Sequence, residues 1–132
     1  MKILKNVGLL ITSIILALIA AYHSGLLYFS LFPNMRSTGG LADIDLRPLE
    51  NPLVGLPIAF LFLLFLLFTA FGDERKYYWA GIAASPVFLL LVYADTPHLY
   101  FHILFPLAGW LIGLGMRKLF ITVTVDKNRQ MK

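Results

Sequence analysis

Long neutral apolar runs, cut by short polar clusters, set the pattern of this chain. Val7 to Phe32 is apolar and long enough to span a bilayer with some tilt. Leu53 to Phe71 follows, with the core IAFLFLLFLLFTAF almost entirely Leu and Phe. Tyr77 to Ala94 is shorter, contains Pro86 and opens on Tyr77, Tyr78 and Trp79, aromatics that favour the headgroup level. Pro97 to Ile121 is the fourth apolar stretch. Two connections are tight, GDERK at 72–76 and DTP at 95–97. One is long, running from Pro33 to Pro52. Its prolines and glycines rule out a continuous helix, while Leu41, Ile44, Leu46 and Leu49 suit a loop folded over the helix ends or the membrane surface. The pattern predicts one all-α domain over 1–132, an integral membrane protein with four transmembrane helices in an antiparallel bundle and one long outer loop.

Two boundaries need argument. Lys2 and Lys5 could open a signal peptide cleaved near Ala20-Ala21, but Leu18 and Ile19 stand where small residues belong. We therefore expect a retained first helix. After Lys118 the chain reads LFITVTVD, rich in β-branched residues; the expectation is a fraying helix end, with a strand as the alternative.

Composition agrees with the pattern. The chain is 59% hydrophobic and 14% charged, against roughly half and a quarter in soluble domains. The lack of cysteine excludes disulfides, thiolate catalysis and Cys-based metal sites. Where the charges lie matters more than the net +4. Of the Lys and Arg residues, only Arg36 and Arg47 fall opposite the termini. Positive residues favour the cytoplasm, so both termini are expected there, in a bacterial or archaeal cytoplasmic membrane. No aromatic-basic groove accompanies the charge, so the expected partners are the lipid bilayer and other membrane chains, not nucleic acid. Arg75, Lys76, Arg117 and Lys118 would meet anionic headgroups. Asp73, Glu74, Arg75 and Lys76 read as a solvated turn of offsetting charges.

In lipid, helices associate through small residues and polar bonds. Ala17, Ala21 and Gly25 form a small stripe on the first helix, Gly81 and Ser85 on the third, and Gly109 and Gly113 on the fourth. The second helix reads as smooth and lipid-facing. We expect the first, third and fourth in close contact and the second at the periphery. Pro86 and Pro106 each remove a backbone donor and should loosen their helices near mid-membrane.

Candidate chemistry collects on the outer side. Asp95, His98 and His102 share one helix face, being three and four residues apart. His23 ends the first helix on the same side, and Asp43 and Asp45 lie in the long loop. A His pair one turn apart, His98 and His102, beside a carboxylate suits a divalent metal such as Zn(II) or Cu(II). The alternative is structural: Thr96 caps the helix, Pro97 takes its first position, and His102 bonds a tyrosine among Tyr22, Tyr28 and Tyr100.

In length and number of spans the chain resembles the small multidrug transporters. Those carry a membrane-embedded glutamate in the first helix, and Val7 to Phe32 has no carboxylate. The leading expectation is a small polytopic membrane protein acting non-enzymatically with other chains, as an accessory or oligomeric subunit. The alternatives are a transporter or channel subunit using the outer His/Asp site, and a membrane enzyme acting on a lipid-linked substrate.

Overall fold

The computed structural model describes residues 2–35, 47–73, 75–94 and 96–130. Among them the chain is all helical. The α-helices are α1 (Lys2–Leu31), α2 (Arg47–Phe71), α3 (Lys76–Ala94) and α4 (Leu99–Gln130), and short 3-10 turns cover Pro33–Met35 and Thr96–His98. Among the described residues, three segments are long and apolar enough to cross a membrane: Ile3–Leu31 of α1, Leu49–Phe71 of α2 and Leu99–Ile121 of α4. α3 is 19 residues long, with Pro86 inside it.

One element starts earlier than expected, and one open alternative closes in favour of the helix. α2 starts at Arg47 rather than Leu53. Pro48 sits in its first turn, where a missing N–H leaves no helical bond unmade. Pro52 and Pro57 are accommodated further in. α4 runs unbroken through the β-branched stretch to Gln130, so no strand forms there.

Successive helices reverse direction. Lys5 near the start of α1 meets Asp73 just past the end of α2, with Nζ 3.0 Å from Oδ1. Gly25 of α1 meets Asn51 near the start of α2. Tyr28 of α1 meets His98 at the entry to α4. One end of the bundle therefore carries Tyr28, Asn51 and His98, and the other, basic end carries Lys5, Asp73 and Arg117.

α2 is the hub, which corrects its expected place at the periphery. It packs along α1, α4 and α3, while α3 barely touches α1 or α4. Half of its apolar window is buried (50%), against 17% in α1 and 28% in α4. Leu61, Leu64 and Phe68 of α2 form a core with Ala80, Ala84 and Leu91, which recur on one face of α3. Ile58 closes a second core with Tyr28, Phe29 and Phe101.

The glycine seams explain why α2 can sit so close to two neighbours. A Cβ on Gly25 would overlap the Asn51 carbonyl, and one on Gly55 would overlap the Ala21 carbonyl and Gly25 amide. Ala17 and Ala21, fully or nearly buried, continue the α1 side of this seam, and Ala59 follows Gly55 one turn on along α2. On the other flank, a Cβ on Gly109 would overlap the Phe62 carbonyl, and one on Gly113 would lie 2.7 Å from Leu66 O and 2.8 Å from Thr69 Cβ. Backbones meet where side chains are absent, which is how helices gain dispersion contact in lipid. The outer surfaces of α1, α3 and α4 carry many exposed large apolar residues, such as Ile15, Ile19, Leu90 and Leu111. An apolar surface of this extent suits a lipid solvent rather than water.

Candidate functional site

At the histidine end, Tyr28 is the organising side chain. It lies 27 residues from the start of the chain, on the α1 face turned inward, and is buried. Its hydroxyl is 3.4 Å from His98 Nδ1. Its ring stacks on the His102 imidazole, with centroids 5.9 Å apart and planes 13° from parallel. The helical register of α4 sets this up: His98 and His102 are one turn apart and reach the same partner. Phe32 packs against His98 at 4.3 Å, and Phe101 meets Tyr28 edge-on at 5.6 Å. The result is an aromatic cage around two imidazoles and a phenol. His102 is 1% exposed and His98 half-buried.

The other candidates on this side fall differently. His23 is exposed, and its ring meets Tyr22 edge-on at 5.7 Å. It sits five residues before Tyr28, about 140° around a helix of 3.6 residues per turn, so it faces away from the cage. Among the described residues no three His, Asp or Glu side chains converge into a metal-binding group. Asp43, Asp45 and Asp95 lie outside the described residues. Of the three tyrosines expected within reach of His102, Tyr28 turns its hydroxyl to His98 and its ring face to His102.

The basic end holds a second polar cluster, which corrects the reading of 73–76 as wholly solvated. Lys76 is 7% exposed, and its Nζ donates to the Thr69 carbonyl at 2.9 Å. That carbonyl is one of the last four of α2, which have no helical donor. Gly72 N–H donates to Phe68 O at 3.0 Å, satisfying another. An ammonium at a helix C-terminus also complements the negative end of the dipole. Burial holds the Lys76 ammonium below its ordinary pKa, and the Arg117 charge pushes the same way, with Tyr77 partly opposing. The Nζ lies 5.1 Å over the Tyr77 ring, and Trp110 Nε1 donates to the Tyr77 hydroxyl at 3.4 Å. The chain reaches this geometry through Arg75, whose φ of 60° turns the backbone sharply into α3.

α3 carries the remaining small-residue stripe. A Cβ on Gly81 would meet nothing within 4 Å. Ser85 is exposed, its hydroxyl returned to Gly81 O at 2.7 Å. Both line a shallow groove of about 430 Å³, floored by Leu61 and Phe65 of α2 and closed on the far side by Pro106 of α4. The sparse contact between α3 and α4 leaves this groove open. Comparison with known protein families, with curated proteins and with solved structures finds no match to this chain.

Proposed function

We propose that the chain is a four-span integral membrane protein, with both termini cytoplasmic, that works by association with other membrane chains rather than by catalysis. One observation carries the reading. Gly25, Gly55, Gly109 and Gly113 are used up inside the chain against backbone or side-chain atoms, while Gly81 faces open space beside a groove. A small-residue face without an intramolecular partner suits close approach of a helix from another chain.

The orientation is testable because the chain has no cysteine. A single cysteine at Asn34, between α1 and α2, should react with an impermeant thiol reagent in intact cells, and one at Arg75 should not. The reverse pattern would invert the topology. The association is tested by Gly81→Leu. In mild detergent it should shift the protein to a smaller assembly, with a melting temperature within a few degrees of wild type, since a Cβ there meets nothing within 4 Å and opens onto a groove. An unchanged assembly would remove α3 as the interface.

A second reading is a transporter or channel subunit whose ligand enters at the histidine end. The contact of Tyr28 with both His98 and His102 supports it. A buried phenol–imidazole group within an apolar bundle is costly unless it is paired or used.

A further inference from the structure

We propose that the basic end binds the headgroup of one anionic phospholipid. The site is a cleft of about 510 Å³ between the end of α2, the start of α1 and the last apolar turns of α4, within the usual ~300–1,000 Å³ of small-molecule sites. Lys5 and Arg117 supply its positive charge, Asp73 its negative charge, and Phe71, Phe120 and Ile121 its apolar wall. Phe71 and Phe120 pack ring to ring at 5.4 Å, so the wall is continuous between α2 and α4.

The arrangement fits a phosphodiester with acyl chains better than a bare anion. Lys5 donates to Asp73 at 3.0 Å, which fixes the ammonium at the rim and leaves two of its three hydrogens for a ligand. Arg117 is exposed, and its planar guanidinium can grip two phosphate oxygens at once. Basic groups and an aromatic wall line the same cleft, which suits a phosphate that carries apolar carbons. Asp73 sets the limit on charge: the cleft suits a singly charged phosphodiester. The structure also redraws the basic patch visible in the sequence. Lys76 is spent on the Thr69 carbonyl, and Lys5, far away along the chain, takes its place beside Arg117. The inference rests on membrane insertion, and it is independent of whether α3 binds a partner.

Native mass spectrometry of the full chain tests it, with phosphatidylglycerol or phosphatidylcholine added at equal concentration. Wild type should retain one phosphatidylglycerol and little phosphatidylcholine. Arg117→Gln and Lys5→Gln should each weaken retention roughly five- to tenfold, as expected for one basic contact to an anionic lipid. Arg75→Gln, exposed at the same end but outside the cleft, should retain it as wild type does. Unliganded melting temperatures of the variants establish that each remains folded. Equal retention of both lipids, or equal behaviour of Arg117→Gln and Arg75→Gln, would overturn the proposal. So would displacement of the lipid by millimolar inorganic phosphate, which would make the cleft a free-anion site. Failure of these arms leaves the four-span reading intact, because the thiol-labelling pattern reports that separately.

Discussion

Gly55→Leu is expected to separate α1 from α2 and leave little folded protein. The position has no room even for a methyl group: a Cβ there would overlap Ala21 O and Gly25 N and lie 2.9 Å from Ala21 C. These are backbone atoms, so no rotamer change relieves the overlap, and the helices must move apart along the whole seam from Ala17 to Gly25. Overpacking of a well-packed interior costs about 1–3 kcal/mol, and more where the backbone is what must yield. We expect a loss of at least about 3 kcal/mol, read as aggregation or a strongly lowered melting temperature in detergent. Gly55→Ala should fall between. Gly8→Leu is the control, since a Cβ there meets nothing within 4 Å; it should be neutral or slightly stabilising through helix propensity. If Gly55→Leu and Gly8→Leu melt alike, the α1–α2 seam is wrong.

Leu64→Ala should be nearly as damaging, through a void rather than a clash. Leu64 has 0% exposure and lies in the core shared by α2 and α3. Deleting such a side chain costs about 2–5 kcal/mol, the spread depending on how far the surroundings collapse. Ile19→Ala, at 69% exposure on α1, removes a similar side chain from a surface that lipid would cover. Its melting temperature should stay close to wild type. Equal losses at the two positions would return α2 to the periphery.

That second helix shows where the sequence stops being readable. The small residues of α1 and α4 are plain in the sequence, and so is their tendency toward close contact. Which helix they meet is not. In water, a smooth Leu/Phe face and a core face differ in polarity from their surroundings. In lipid both are apolar, so composition does not tell a side chain facing acyl chains from one facing protein. A hub must also fill the volume between three neighbours, which calls for bulk at Leu61, Leu64 and Phe68 rather than small residues. Gly55 and Ala59, four residues apart in the expected second span, were the available sign, but they stand either side of Pro57 and are outnumbered by Leu and Phe.

The candidate sites divide the same way. His98 and His102 on one face follow from helical spacing alone, because a period of 3.6 is local. Their meeting with Tyr28 depends on α1 and α4 both docking on α2, which brings side chains at their ends together and which no local pattern encodes. Lys76 looked solvated because its neighbours in sequence are charged. Its partner, the Thr69 carbonyl, belongs to the backbone and leaves no trace in side-chain chemistry.

The central position of α2 carries a consequence for biosynthesis. One flank of this helix is matched by α1, already made when α2 emerges. The other, at Phe62, Leu66 and Thr69, waits for Gly109 and Gly113 of α4. At ~5–20 residues per second, the fifty-odd residues in between take roughly 3–10 s to translate. For that interval the helix that orders the finished protein is only half assembled. The seam that completes it can be made only when the last apolar segment has been synthesised.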